Sequence, residues 1–341
     1  MDFIVTDSSR IETAFLEDFE MLDVDIGKQN DFELRIPRST SKKLAIELGG
    51  FLFCPKTEFG GVITRIALET TDNSALWSGI AWRGLLSLDI IIPPLGQDYR
   101  VISGEANNIL RTVLAENGSV GIFFDIPYID TGVTFTNYQF HRYETKLKGL
   151  SRMLLSKGLK LRIRAVQGGS NEPFKVTCEA VPIIDYSNKL EYSDDYKMNI
   201  SIVQDDGGIN HIICLGRGEL KDREVVHLYV QSGGAIGTTK YYTGFDERVA
   251  VYNYSSVESL EELVKGGIEK LQELKSSKRL DLKVADLDFG VEIGDIVGGR
   301  DRVENIYLTK PVTGLIYRST GGVEEIEASV SENESIDEII E

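Results

Sequence analysis

Residues 32–36 read Phe-Glu-Leu-Arg-Ile, and this alternation of apolar and charged side chains is typical of a β-strand with one buried face. Similar short runs of apolar and β-branched residues follow at 51–54, 62–68 and 90–92. Segments rich in Asn, Asp and Pro separate the runs, and such segments form turns. Residues 1–100 therefore predict an antiparallel, barrel-like β domain.

From about residue 104 the spacing of apolar residues changes to that of amphipathic helices. The apolar stripes are Ile109, Leu110, Val113 and Leu114 in a first helix, and Tyr143, Leu147, Leu150 and Leu154 in a second. Gly118 and Gly158 follow these stripes and predict the helix ends. A strand over residues 159–166 comes next, so residues 101–185 predict a small α+β module.

After Tyr186 the pattern returns to strands. They are predicted near 198–203, 210–215, 225–229 and 249–252, and again from 280 to 330.

One helix, over residues 256–275, is predicted between these late strands. Ser255 and Glu258 have the spacing of a capping box at its start. Gly266 and Gly267 lie in its middle, and each costs about 1 kcal/mol there, so we expect a kink or a break.

The fold predicted for the 341 residues is thus mainly β with an α+β insertion, since one core rarely grows to this length. It comprises two β-barrel-like domains at 1–100 and 186–328, an α+β module at 101–185 between them, and a helix between the late strands. Residues 329–341 form an acidic tail that we expect to be frayed. The alternative is a short helix, carrying Ile336, Ile339 and Ile340, that docks on a partner.

The charge balance narrows the range of partners. The chain has 54 acidic and 37 basic residues, a net charge of -17, which disfavours nucleic acid and anionic membranes unless a local basic patch exists. A short basic cluster at Lys157, Lys160, Arg162 and Arg164 alternates with apolar residues and predicts the solvated face of a strand. No run of about 18 apolar residues predicts a membrane helix, and no secretion signal is predicted at residues 1–10.

A search for catalytic patterns gives no candidate set. The three histidines, His141, His211 and His227, lack the spacing of a metal pair, and the last two lie in or beside strands, where hydrogen-bonded structural roles are expected. The turn 216–218, Gly-Arg-Gly, lacks the third glycine and the helix of a dinucleotide site. Cys54, Cys178 and Cys214 predict buried, reduced thiols.

Pairs of neighbouring acidic residues are candidates for a metal site, but they are also common in turns. The pairs are Asp194-Asp195 and Asp205-Asp206, followed by the series Asp286, Asp288, Glu292 and Asp295. Solvated turns are the expected role, with a calcium site in the last series as the alternative. We therefore expect no enzyme, no catalytic residue, no cofactor and no bound metal.

The aromatic cluster between residues 241 and 254 has two interpretations. Its members are Tyr241, Tyr242, Phe245, Tyr252 and Tyr254. They predict sheet packing, and the alternative is a platform for sugar stacking or an interface anchor.

Several segments, in order along the chain, resemble the siphovirus-type tail-hub proteins, the Tal-like family of phages and prophages. Residues 25–37, which end Asn-Asp-Phe-Glu-Leu-Arg-Ile-Pro, are similar to the N-terminal signature of that family. Residues 50–66 and 82–93 match the elements that follow, although Leu88-Asp89 stands where members often carry a basic pair. Residues 210–218 are similar to its central strand and turn, and 293–297 with 311–317 to its closing hairpins.

The resemblance implies a structural role. It implies a trimer with two β-barrel domains per subunit, so that six barrels form a ring continuing the tail tube. The implied partners are a distal tail or tube ring, the tape-measure protein and spike or tip proteins, with DNA passing the lumen without specific binding. The implied location is a virion tail or tail-like particle assembled in the bacterial cytoplasm. The alternatives are a β-rich glycan hydrolase and a carbohydrate-binding adhesin.

Overall fold

The computed structural model shows a protein built mainly of β-strands. It describes residues 1–69, 71–116, 121–169, 172–187, 191–192, 199–205, 207–255, 257, 259–275, 277–283, 290–301 and 306–330. The acidic tail from residue 331 onward lies outside the described residues, as do Asp194, Asp195, Asp206, Asp286 and Asp288.

Twenty-two strands and five helices are described. The strands are β1 (Ile4–Thr6), β2 (Glu12–Phe15), β3 (Met21–Ile26), β4 (Asp31–Pro37), β5 (Phe51–Phe53), β6 (Gly60–Glu69), β7 (Ser74–Ala81), β8 (Val101–Glu105), β9 (Phe124–Asp125), β10 (Thr134–Gln139), β11 (Leu159–Val166), β12 (Lys175–Pro182), β13 (Glu191–Tyr192), β14 (Asn199–Asp205), β15 (His211–Leu215), β16 (Val225–Val230), β17 (Ile236–Gly237), β18 (Val249–Asn253), β19 (Ser277–Lys283), β20 (Ile296–Asp301), β21 (Ile306–Thr320) and β22 (Val323–Val330). The helices are α1 (Arg38–Lys43), α2 (Trp82–Ser87), α3 (Ala106–Ala115), α4 (Lys146–Leu155) and α5 (Leu260–Leu274). The predicted mainly β fold, with an α+β module and a helix between late strands, is confirmed.

Contacts group the chain into two compact units. Within the described residues, the first unit comprises 1–201 and 280–330, and the second comprises 202–279. The chain passes from one unit to the other within β14 and returns within β19, and these two strands pair with each other.

The first unit contains an eleven-stranded sheet that curls into a half-barrel. Its order is β13-β20-β21-β3-β4-β7-β6-β5-β1-β2, with β22 paired to β21. Strand β4 is the stretch 31–37, and Phe32, Leu34 and Ile36 all point into the core, as the alternation predicts.

Strands from the two ends of the chain meet in this sheet. Strand β21 pairs antiparallel with β3, so that Leu315 lies opposite Ile26. Periodicity indicates where strands lie but not which strands pair, so a pairing between residues nearly 300 positions apart was not predictable from it. The predicted domain bounds at residues 100 and 186 separate strands that contact each other in this sheet. The division of the chain at these bounds stays a prediction.

An α+β layer packs against one side of the half-barrel. Helices α3 and α4 and the three-stranded sheet β11-β12-β9 share a core with β1 and β5, centred on Trp82, Phe53 and Phe174. Lys146 at the start of α4 is buried in it, and its ammonium donates to Asp89 at 2.8 Å and to the Leu114 carbonyl at 3.2 Å near the end of α3. The positive charge of Lys146 is favourable there, because the carboxyl end of α3 carries a partial negative charge.

One strand predicted in this region is wrong. Residues 90–92 make only an isolated bridge, between Ile90 and Thr145. Pro93 and Pro94 follow directly, and proline has no N–H to donate to a ladder. Ile91 is nevertheless buried in the core, so its apolar character serves packing rather than a strand.

The second unit is a four-stranded sheet, in the order β17-β16-β15-β18, with α5 packed on one face. The helix begins at Leu260, and the Ser259 hydroxyl accepts the N–H of Glu262 at 3.2 Å. The predicted start at residue 256 is therefore wrong. The capping pattern Ser-x-x-Glu occurs twice in succession, and the second occurrence, from Ser259 to Glu262, caps the helix.

The break predicted at the glycine pair is also wrong, because α5 is continuous from Leu260 to Leu274. A Cβ on Gly267 would lie 2.3 Å from the Cys214 sulfur and 2.8 Å from Leu228 Cδ1. Gly267 is thus the point where the helix backbone approaches the sheet, and this close packing outweighs its low helix propensity.

Replacing that glycine tests this explanation. Gly267→Ala is expected to lower the free energy of unfolding of the second unit by about 1–3 kcal/mol, because the new methyl group overpacks a filled core. Gly266→Ala is the matched control. The atom nearest to its new Cβ would be the hydroxyl of Tyr252 at 3.0 Å, which is the end of a side chain and can move away. Urea titrations followed by circular dichroism compare the two, and equal destabilisation would contradict the packing role of Gly267.

Candidate functional site

The face of the four-stranded sheet opposite α5 carries a group of exposed apolar residues. Strand alternation places Ile212, Cys214 and Leu228 under the helix. The residues between them point the other way, and they form three rows across the sheet by register: His211 with Tyr229 and Val249, Ile213 with His227 and Val251, and Leu215 with Val225 and Asn253. We call these nine residues the open face.

Three valines of the open face are largely exposed. Val251 is 63% exposed, and Val225 and Val249 are each 48% exposed. Half-buried Ile213 and Leu215 lie between them on the central strand. Single exposed valines are common on protein surfaces, whereas a contiguous group on one sheet face is typical of an interaction surface.

A hydrogen-bonded histidine pair fixes one end of the open face. His211 Nε2 lies 2.8 Å from His227 Nδ1, and His211 Nδ1 lies 2.8 Å from the Glu247 carboxylate. The Tyr229 ring stacks on His211 with the centroids 4.3 Å apart. The hydrogen bonding predicted for these two histidines is confirmed.

The carboxylate orients the His211 ring. A carboxylate can only accept, so His211 donates from Nδ1 to Glu247, and its other ring nitrogen, Nε2, shares a hydrogen bond with His227 Nδ1. The Lys240 ammonium, 2.6 Å from Glu247, holds the pKa of Glu247 below its usual value, and the bond from His211 acts in the same direction against the effect of burial. The network orients Tyr229 and both rings on the open face.

In the first unit, the basic cluster of β11 is not a solvated face. Lys160 is 3% exposed and lies 2.7 Å from both Glu292 and Asp295. The buried Asp295 carboxylate also accepts the N–H groups of Ile184 and Glu292, each at 2.9 Å. The prediction is therefore wrong for Lys160, because β11 packs against the returning segment 290–295 on that side. Arg162 follows the prediction better and pairs with Glu179 at a half-buried position.

The carboxylates of this cluster are neutralised by cations. Burial by itself raises the pKa of Glu292, but hydrogen bonds and charge from Lys160 and Arg164 outweigh burial and hold this pKa below its usual value. Of the acidic series suggested for calcium, Glu292 and Asp295 are thus partners of lysine and arginine. Among the residues that the structure describes, no group of three or more His, Cys, Asp or Glu is arranged to hold a metal ion.

The other residues singled out from the sequence are scattered. Gly216 to Gly218 lie in the turn between β15 and β16, as predicted, where the Gly216 N–H donates to the Glu224 carbonyl at 2.9 Å. Asp205 ends β14, and its neighbour Asp206 lies outside the described part of the chain. His141 contacts Arg152 on the surface of the first unit.

The three cysteines are free and buried, as predicted. Burial raises the pKa of Cys178 to about 12 and that of Cys214 to about 11. Such thiols remain protonated at neutral pH, which is typical of packing roles.

The tyrosine cluster divides into two pairs rather than one platform. Tyr252 and Tyr254 pack beside the core under α5, with ring centroids 5.9 Å apart. Tyr241 and Tyr242 form a T-shaped pair at 5.0 Å, and Tyr241 and Phe245 are exposed. Sheet packing is thus correct for Tyr252 and Tyr254, and Tyr242 also packs against this core.

These features define a β-rich protein with a half-barrel unit and a helix-covered sheet whose second face is open. No protein-family model matches the chain, and no curated protein matches it in sequence. No helix within the described ranges has the length and apolar character needed to cross a bilayer.

Solved structures of phage tail proteins share the fold. The 43 kDa tail protein of prophage MuSo2 from Shewanella oneidensis aligns over 100% of both chains with a TM-score of 0.54 and 11% identity. The tail protein from Neisseria meningitidis MC58 aligns over 97% of both chains with a TM-score of 0.51 and 15% identity. The chain therefore has the fold of these tail proteins, which confirms the expected resemblance at the level of the fold.

Proposed function

We propose that the chain is a structural subunit of a phage-type tail, and that it forms a trimeric hub ring joining the tail tube to the tip or baseplate. The observation that supports this most is the end-to-end likeness to two tail proteins. A local likeness would support only a shared module, whereas coverage of 97% or more supports a common architecture. The subunit would be assembled in the bacterial cytoplasm and reside in the virion tail or a tail-like particle.

In this proposal three subunits surround one axis. Each contributes the half-barrel of its first unit, built from strands of residues 1–100 together with β20 to β22, and the helix-covered sheet of its second unit. A closed ring needs the same two complementary surfaces on every subunit. The open face supplies one of them, because its valines remain exposed in the single chain and suit a subunit contact.

The proposed partners follow from the position of a hub. One side of the ring meets a distal tail or tube ring, and the other meets spike or tip proteins. The lumen admits the tape-measure protein and then DNA. The net charge of -17 supports passage of DNA without specific binding, because an acidic wall of the lumen would repel its phosphates.

The mass of the purified protein in solution tests the proposal. Light scattering coupled to gel filtration is expected to give three times the chain mass of 38.0 kDa. A mass equal to one chain at every concentration, together with failure to bind tail-tube protein, would refute the ring.

A further inference from the structure

A cleft in the first unit is lined by residues of one charge sign. It has a volume of about 400 Å³ and lies between α4, the turn after β3 and the middle of β21, where its partner strand changes from β20 to β22. The lining residues are Gly27, Lys28, Asn30, Arg83, Ser87, Thr145, Leu147, Lys148, Ser151, Leu155, Lys160, Leu161, Ile293, Gly294, Pro311, Val312 and Thr313. Four of them are cationic, and none is Asp or Glu.

The cations differ in depth. Arg83 and Lys160 lie at the bottom, where Glu58 pairs with Arg83, and Glu292 and Asp295 pair with Lys160. Lys28 and Lys148 are exposed at the rim. In a chain with a net charge of -17, this rim is a local positive site that favours an acidic ligand.

The walls between these cations are apolar. Leu147 and Leu155 on α4 and Ile293 opposite them are only half-buried, so each leaves part of its side chain facing the cleft. A ligand that covers these side chains and also meets the lysines must combine carboxylates with aliphatic groups.

The chain itself carries such a segment close to the cleft. Strand β22 ends at Val330, which pairs with Val312 of the cleft wall, and the neighbouring Thr313 hydroxyl donates to the Ser329 carbonyl at 3.4 Å. Residues 331–341 follow, with the sequence Ser-Glu-Asn-Glu-Ser-Ile-Asp-Glu-Ile-Ile-Glu. They contain five acidic residues and three isoleucines.

We propose that residues 331–341 dock in the cleft of their own chain. Their carboxylates meet Lys28 and Lys148, and Ile336, Ile339 and Ile340 cover Leu147, Leu155 and Ile293. Ile336, Ile339 and Ile340 have the i, i+3, i+4 spacing that an apolar stripe on one side of a helix would need. Eleven residues reach about 35 Å when extended, and the segment starts next to Val330, which pairs with Val312 of the cleft wall. Tethering also gives an effective concentration of about millimolar, which favours the cleft of the same chain over that of a second copy.

Carbodiimide cross-linking of the full chain tests this docking, because the reagent joins an ammonium to a carboxylate only where the two are in contact. Peptide mass spectrometry is expected to show residues 331–341 linked to Lys28 or Lys148 at least about tenfold more than to Lys175, an exposed lysine on β12. In an equal mixture of ¹⁴N and ¹⁵N chains, the linked peptides should be entirely light or entirely heavy. Mixed light and heavy pairs would assign the segment to a second copy and overturn the proposal.

Two variants separate docking from general attraction between charges. Replacing Ile336, Ile339 and Ile340 together by Ser keeps every charge, and it is expected to lower the yield at Lys28 and Lys148 to that at Lys175. Lys28→Ala and Lys148→Ala, made singly, each leave the other rim lysine to report contact. Equal linkage to all exposed lysines, or an unchanged yield in the isoleucine variant, would contradict docking in the cleft.

Discussion

Lys160→Met is expected to lower the free energy of unfolding of the first unit by about 3–5 kcal/mol. Methionine fills a similar volume but leaves Asp295, which is 0% exposed, and Glu292 without their shared cation. A buried carboxylate that has lost its cation costs far more than a lost surface ion pair. Both tryptophans, Trp77 and Trp82, are buried in this unit, so their fluorescence in a urea titration reports its unfolding.

Arg162→Met on the same strand is the matched control. Its partner Glu179 is half-buried, and pairs of this kind contribute about 0–1 kcal/mol. If both variants lose the same stability, Lys160 is not the centre of a buried ion cluster and the account of β11 is wrong.

The pH dependence of stability is a second test of the ion pairing between Lys160 and Glu292. The pKa of Glu292 is lowered in the folded protein, so its ionised form stabilises the fold above the ordinary glutamate pKa, and this stability is lost as the pH falls through the lowered value. Lys160→Met removes the main group that lowers this pKa. The variant should therefore show a smaller loss of stability between about pH 5 and pH 3 than the native chain, as measured by urea midpoints.

Val251→Lys is expected to dissociate the proposed trimer. The valine lies in the middle row of the open face, on the edge strand β18, with 63% of its surface exposed in the single chain. An ammonium group buried there would have no partner, and a penalty of about 3 kcal/mol or more raises the dissociation constant by at least about 100-fold. Sedimentation velocity over a dilution series measures the shift from trimer to monomer.

The control replaces a valine of equal exposure elsewhere. Val323 is 64% exposed at the start of β22 in the first unit, so Val323→Lys adds the same charge away from the open face. It should remain trimeric. An unchanged Val251→Lys trimer would remove the open face from the interface.

Local features of the fold were predictable because they depend on local patterns. The alternation at 32–36 gave β4, and the apolar stripe from Ile109 to Leu114 gave α3, since burial of one face fixes the period. Helix α2 has six residues, too few for a periodic signal, and the run 90–92 could not be told from a strand by its apolar character.

Features that depend on distant pairing were not predictable. From its local sequence Lys160 is expected at the surface, but residues 290–295, which are distant in sequence, cover it. The open face depends on the register of β16, β15 and β18, which local patterns do not determine. The nearest local signal was the pair of histidines in strands, which correctly suggested hydrogen bonding but gave no sign of the partner Glu247.

Electron microscopy of the purified protein tests the central claim most directly. The account predicts a three-fold ring with an open central lumen, in which the open face of each second unit is covered by a neighbouring subunit. Single chains, or an assembly in which Val225, Val249 and Val251 all remain exposed to solvent, would contradict it.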